Sequence, residues 1–179
     1  MAGTGMLLVL TGASGAGKTT LTRALEAQRL RGVACHYFDS VGVPSTEEMI
    51  ARFGSPEGWQ RETLREWVRR LASDSGSAAL HVLEGQVRPS EVLAAFADHG
   101  VRRGHVLLLD CAPEVRAERL RQERDQPELA TEQMTAWAAY LRGQADALRL
   151  PVLDTGAMSA QEAAAQLRRR VEELLATSA

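Results

Sequence analysis

Lysine is nearly absent from this chain. Its 179 residues include twenty arginines and one lysine, Lys18, so whatever selects a compact ammonium over a guanidinium acts at that single position. Cysteine is scarce too. Cys35 and Cys111 stand far apart without C-x-x-C spacing, which argues against a zinc site or a disulfide framework and predicts buried thiols in a reducing compartment. No charge of either sign is in large excess. The formal net charge is −2, which does not indicate a broad basic face for nucleic acid. Arg168-Arg169-Arg170 runs into Glu172-Glu173 and reads as the solvated face of a C-terminal helix. No apolar run approaches about 18 residues, so no membrane span is expected. The first five residues lack the charged and apolar regions of a signal peptide, and the expected location is the cytoplasm. Repeats and low-complexity linkers are missing, and 45% apolar residues are enough for the core of one compact domain.

The solitary lysine lies in Gly12-Ala13-Ser14-Gly15-Ala16-Gly17-Lys18-Thr19, a G-x-x-x-x-G-K-[ST] pattern. Glycines let successive backbone N–H groups curl around an anion. A forked guanidinium fits poorly in so tight a loop, whereas an ammonium on a flexible stem reaches the terminal phosphates, and the Thr19 hydroxyl can ligate magnesium. The flanks agree with the motif. Met6 to Thr11 is a short apolar run that reads as a buried parallel strand. From Thr20 onward Leu21, Leu25 and Leu30 fall near helical spacing, with Gly32 as the stop. A helix starting there adds its dipole and free N–H groups to the anion site.

Four more apolar runs predict strands at 33–38, 79–83, 105–109 and 151–153. Helical stretches are expected at 18–31, 46–53, 57–73, 90–98, 112–124, 131–148 and 160–176. Alternation of strand and helix predicts an α/β fold with a parallel sheet covered on both faces. Ligands then gather at the carboxyl ends of the strands. Three carboxylates stand at those ends. Glu84 closes an apolar strand, where it either holds magnesium or marks an exposed strand end. Asp39 either accepts a proton from an acceptor hydroxyl and orients the metal, or serves as a turn residue. Asp110 precedes Ala112-Pro113 and reads foremost as a helix N-cap.

With these motifs the chain resembles the P-loop kinases of small molecules, the nucleoside, nucleotide, gluconate and shikimate kinases. Gly12 to Thr20 is similar to the loop of uridine and gluconate kinases, and Glu84-Gly85 also resembles uridine kinases. The resemblance implies a three-layer α/β/α fold with five strands in the order 2-3-1-4-5. It also implies a single domain over 1–179, with a helical acceptor insert at about 40–78 and a short lid at about 116–130. It implies ATP and Mg²⁺ as cofactors and a small-molecule acceptor. The nucleotide would lie on Gly12, Ala13, Ser14, Gly15, Ala16, Gly17, Lys18, Thr19 and Thr20. Thr19 and Glu84 would serve the metal. Asp39, Glu84, Gln86 and Arg88 would face the acceptor, with Asp39 orienting or deprotonating its hydroxyl.

Arg61, Arg65 and Arg69, at i, i+4 and i+8, share one helix face in the insert region. Such a face suits an acceptor phosphate or, with Glu62 and Glu66 alternating, plain solvent. Trp59 and Trp67 are expected to pack. Arg88 has the better claim on an acceptor phosphate. In the lid, Arg119 and Arg124 are expected to neutralise charge on the transferring phosphoryl group, with Arg142 a weaker addition. Asp154-Thr155-Gly156 either passes the adenine ring or forms a plain turn. A nucleoside or nucleoside monophosphate is the first expectation for the acceptor, and a metabolite or antibiotic hydroxyl the second. A regulatory P-loop ATPase is a different class of reading, disfavoured because the candidate arginines lie on the same chain. The expected assembly is a monomer or homodimer.

Overall fold

The computed structural model describes residues 5–74, 76, 78–123 and 125–177. Its spine is β1, Met6–Thr11, which is buried at every position. The two-residue period of a strand sends Met6, Leu8 and Leu10 into one apolar cluster and Leu7 and Val9 into another. A strand that is apolar on both faces needs cover on both, and it has it.

β1 pairs in parallel with β3 (Leu80–Glu84) and β4 (Gly104–Asp110). Outside these lie β2 (Val33–Tyr37) and β5 (Val152–Asp154), giving the order β2-β3-β1-β4-β5. This is the α/β architecture and strand order expected. α1 (Lys18–Ala27) and α7 (Ala160–Ala176) cover one face through Leu21, Leu25, Leu167 and Val171. α3 (Pro56–Ser73) and α4 (Pro89–Asp98) cover the other through Leu64, Trp67, Val68, Val92 and Phe96. α2 (Thr46–Phe53), α5 (Pro113–Glu118) and α6 (Glu132–Ala147) complete seven α-helices among the described residues.

The helix starts follow from local chemistry. Ser45 with Glu48 and Ser159 with Glu162 form reciprocal capping boxes on α2 and α7. Ser55 caps α3 ahead of Pro56, whose missing N–H costs nothing in the first turn. Among the described residues no helix is long and apolar enough to cross a membrane.

Four local expectations are corrected. α1 ends at Ala27, well short of residue 31, because Arg29 adopts a positive φ of 48° and turns the chain so that Leu30 packs on the core. β3 runs one residue further than expected, so Glu84 lies within the ladder opposite Leu10. The helix expected at 112–124 gives way at Arg119 to a wide π turn, Arg119–Glu123. Asp110 does not cap α5. Ala112 holds the N-cap position without a side-chain bond, and the Asp110 carboxylate faces Arg142 at 3.5 Å.

Candidate functional site

The loop between β1 and α1 is built from backbone that only glycine supplies. A Cβ at Gly12 would collide with the Leu109 carbonyl, and φ is +155° there. At Gly15, with φ +83°, a Cβ would stand 2.8 Å from Arg116 Cγ. The loop delivers the chain to α1, whose N-cap is Gly17 in the left-handed region, with no side-chain cap and no acidic residue in the first turn. The free N–H groups and the dipole of that helix start therefore face the loop without a resident anion. Lys18 Nζ donates to the Ala13 carbonyl across the loop at 3.1 Å. The ammonium thus lies over the loop, beside the helix start. Thr20, the last residue assigned to the nucleotide, is exposed.

Next to this cradle the Thr19 hydroxyl donates to Glu84 Oε1 at 3.3 Å. Glu84 is only 8% exposed, so it is not a solvated strand end. Two hard oxygens beside a phosphate cradle suit Mg²⁺, which takes one or two protein oxygens and leaves its other positions to water and phosphate. Among the described residues no group of three His, Cys, Asp or Glu offers a fuller set.

The outer side of the loop is clamped. Arg119 Nη1 donates to the Gly15 carbonyl at 3.3 Å and to Thr155 Oγ1 at 3.0 Å, and Nη2 donates to the Thr155 carbonyl at 2.7 Å. Thr155, 4% exposed, donates in turn to the Ala16 carbonyl at 2.9 Å. A peptide plane holds its N–H opposite its C=O, so fixing the Ala16 carbonyl outward aims the Gly17 N–H inward. The π turn widens the helix at the point where Arg119 reaches the loop while Leu120 stays buried. Arg119 is therefore held on the scaffold at the loop's outer flank. A cavity of about 450 Å³ opens there, lined by Lys18, Thr19, Arg23, Arg119 and Thr155 among others. Sequence reasoning treated Thr155 as loop or turn. Its anchoring role joins residues 139 positions apart and leaves no local signature. Arg124 lies outside the described residues. Arg116 is buried at 4% and donates from Nη2 to the Cys111 carbonyl. Arg142 is occupied by Asp146 and Asp110. Burial pushes the Cys111 thiol up, against the pull of Arg116 and Arg119, which keeps it protonated and inert.

The other flank of the loop is reached through the segment after β3. Thr11 Oγ1 accepts from the Val87 N–H at 3.2 Å and donates back to its carbonyl, fixing that segment to the end of β1. Gln86 then meets the loop, with Ser14 Oγ donating to its Oε1 at 3.0 Å. Gln60 Nε2 donates to the Gln86 carbonyl at 2.6 Å, and Gln60 Oε1 accepts from Arg88 at 3.1 Å. Arg88 lies 4.9 Å over the indole of Trp137. Gln60 and Trp137 carry no local signature, because both act across long chain separations.

Asp39 is exposed, two residues past Tyr37, which pairs with Glu84. Its neighbour Phe38 is pinned by the Trp67 indole N–H, which donates to the Phe38 carbonyl at 3.2 Å, and by edge contact with Trp59. Both tryptophans pack, as expected. Of the three arginines on the shared face of α3, two are drawn to carboxylates: Arg65 to Glu62 and to Asp98 of α4, and Arg69 to Glu66. Arg70 stacks on Trp67 and Arg52 on Phe53.

No sequence among the curated proteins matches this chain. Solved structures match its shape. Shikimate kinase from Acinetobacter baumannii in complex with shikimate has a TM-score of 0.63 at 20% identity, over 94% of each chain. A gluconokinase from Sinorhizobium meliloti 1021 has a TM-score of 0.62 at 19% identity, over 99% of each chain. The Deinococcus radiodurans tunicamycin resistance protein has a TM-score of 0.59 at 18% identity, over 93% of this chain and 95% of that one. At such identities the likeness carries the fold, that of small-molecule P-loop kinases. The AAA domain family profile spans residues 8–138, most of the chain and all of the phosphate-loop region, and with the loop, the Thr19–Glu84 pair and the strand order already in place, the protein belongs to the AAA domain family.

Proposed function

We propose that the protein transfers the γ-phosphate of ATP, with Mg²⁺, to a hydroxyl group of a small molecule. The observation that carries this reading is the Thr19–Glu84 pair, 3.3 Å apart, beside a glycine loop that the Lys18 ammonium crosses. Bound magnesium would draw charge from the β- and γ-phosphates. The chain's own part is to hold the triphosphate on residues Gly12 to Thr20, to orient the acceptor with Asp39, and to keep water out of the closed site. Asp39 accepts the acceptor's proton. Arg119, tied to Gly15 and Thr155, steadies the loop from its outer side. Segment 40–78 serves as the acceptor insert and segment 116–130 as the lid.

A hydroxyl acceptor is favoured over a nucleoside monophosphate. Acceptor phosphates need several unpaired cations, and Arg65 and Arg69 are spent on Glu62, Asp98 and Glu66. The proteins of known structure with this fold include shikimate kinase and gluconokinase, which supports a metabolite hydroxyl. A nucleoside is the second reading, supported by the aromatic side chains that accompany Arg88. Calorimetry with Mg-ATP, then coupled detection of ADP against a panel of hydroxylated metabolites, nucleosides and monophosphates, tests the reading. Tight nucleotide binding with acceptor-dependent ADP release is the expected result. Absence of nucleotide binding, or equal ADP release without any acceptor, overturns it.

A further inference from the structure

Beyond Gln86 the cleft has a wall of unusual chemistry for a site that would receive a polyol. A cavity of about 550 Å³ is bordered by Gln86, Leu129, Met134, Trp137 and Tyr140. Trp137 and Tyr140 are stacked, with ring centres 5.5 Å apart and planes 20° from parallel. Tyr140 remains 46% exposed, one of the few large apolar side chains that do. Its hydroxyl is fixed by Gln144 Nε2 at 2.7 Å, and Gln144 is fixed by Ser90. The outward ring is thus held still at no benefit to the core. Gln86, which borders the cavity, also meets the phosphate loop by accepting from Ser14 Oγ.

Charge at this wall is sparse. Arg88 is its one cation, braced on Trp137 and by Gln60. Among the described residues no carboxylate stands within ion-pair distance of it. Glu128, at the cavity's edge, would repel a polyanion. The indole N–H of Trp137 is buried and meets no acceptor among the described residues. A small turn of that ring toward the cavity would give it one in the heteroatom of a bound ring.

From this we infer the class of acceptor: an alcohol that carries a flat, aromatic ring, seated against Tyr140 and Trp137 with its hydroxyl arm directed past Gln86 to the phosphate loop. The inference rests on the phosphotransferase reading above and narrows it. Apolar pockets with a few fixed polar groups select ring-bearing ligands, because sugar acids and polyols would lose more hydration there than the wall returns. Two sources share this chemistry, nucleosides and aryl-bearing alcohols such as aromatic glycosides and ring-containing antibiotics.

The test begins with Mg-ATP binding by calorimetry, which reports on the phosphate site alone. ADP release is then measured with four acceptor sets: nucleosides, aryl glycosides and aryl alcohols, sugar acids and polyols including gluconate and shikimate, and nucleoside monophosphates. One or both ring-bearing sets should stimulate ADP release most, and which one does so identifies the source. Tyr140→Ala should raise the acceptor KM roughly tenfold and leave the ATP KM within about twofold, while Tyr140→Phe should behave as the parent. Tyr140 is exposed, so these variants should fold, and circular dichroism checks that. The inference is overturned if polyols, sugar acids or monophosphates prove the better acceptors. It is equally overturned if Tyr140→Ala leaves the acceptor KM unchanged, or if no ring-bearing alcohol stimulates release while Mg-ATP binds normally. Loss of Mg-ATP binding itself would instead remove the phosphotransferase reading.

Discussion

The two flanks of the phosphate loop are built from different materials. On the outer flank, the Gly15 and Ala16 carbonyls are held by Arg119 and Thr155, and the loop's own path is dictated by glycines at positive φ. Nearly everything that would meet a triphosphate there is backbone. On the inner flank the contacts are side chains: Gln86 meets Ser14, Gln60 meets Gln86 and Arg88, and Arg88 lies over Trp137. Backbone geometry here is fixed by a short local motif. Side-chain geometry is reset by single substitutions. A cradle made of backbone therefore tolerates substitutions on its inner flank without losing its own shape.

The comparison can be broken most forcefully at Lys18. Lys18→Met should lower kcat on the order of 10³-fold with little change in thermal midpoint, since the ammonium bridges a loop and supports no core. Comparable turnover in that variant would remove the donor half of the argument. Asp39→Asn comes next. If Asp39 takes the acceptor's proton, kcat falls by about 10²–10⁴-fold, with the acceptor KM nearly unchanged. A rise in acceptor KM alone would restrict Asp39 to positioning.

Thr155→Val probes the backbone clamp. It leaves buried carbonyls short of a donor and should cost about 1–3 kcal/mol in stability. It should also raise the ATP KM, and Thr155→Ser should restore both. Lower stability with an unaltered ATP KM would make Thr155 structural only.

A smaller effect belongs to pH and to a cluster away from the site. His81 is fully buried, and its Nδ1 lies 3.0 Å from His36 Nε2. Burial pushes both imidazoles below their ordinary range, with Asp74 pulling the other way. Their protons are therefore held more readily by the unfolded chain. The stability they contribute is present above the ordinary histidine value and is lost as pH falls through it toward the folded values. The thermal midpoint should drop between about pH 7 and pH 5, and the slope should be shallower in His36→Gln. Equal slopes in the two proteins would show that other groups govern the acid limb. The smallest effect is expected on α3. Arg65→Ala and Arg69→Ala should change acceptor kinetics less than threefold, because both arginines already face carboxylates. A large loss of activity in either would return the insert face to the acceptor site.

Much of this was legible in the residues themselves. Met6 to Thr11 could be read as a buried strand because its run of apolar residues has no polar face to offer water. The helices expected at 46–53, 57–73 and 160–176 formed within a residue of those bounds. The Asp110 expectation failed because a carboxylate ahead of Ala-Pro looks like a cap, and only the packing of α6 brings Arg142 to it. The expected helix through 112–124 failed at Arg119, where a bond to Gly15, 104 residues away, coincides with a wider turn.

What the chain determined by itself is the glycine loop with its one ammonium and the alternation of strands and helices that carries it. Glycine conformation, strand periodicity and one ammonium act over a few residues and need no distant partner. The tertiary structure alone decided that Arg119 clamps Gly15 and Arg142 meets Asp110, which hydroxyl steadies the loop, and which rings border the cavity beside Gln86. Those outcomes depend on contacts between positions tens to more than a hundred residues apart, and no local rule of spacing carries that information.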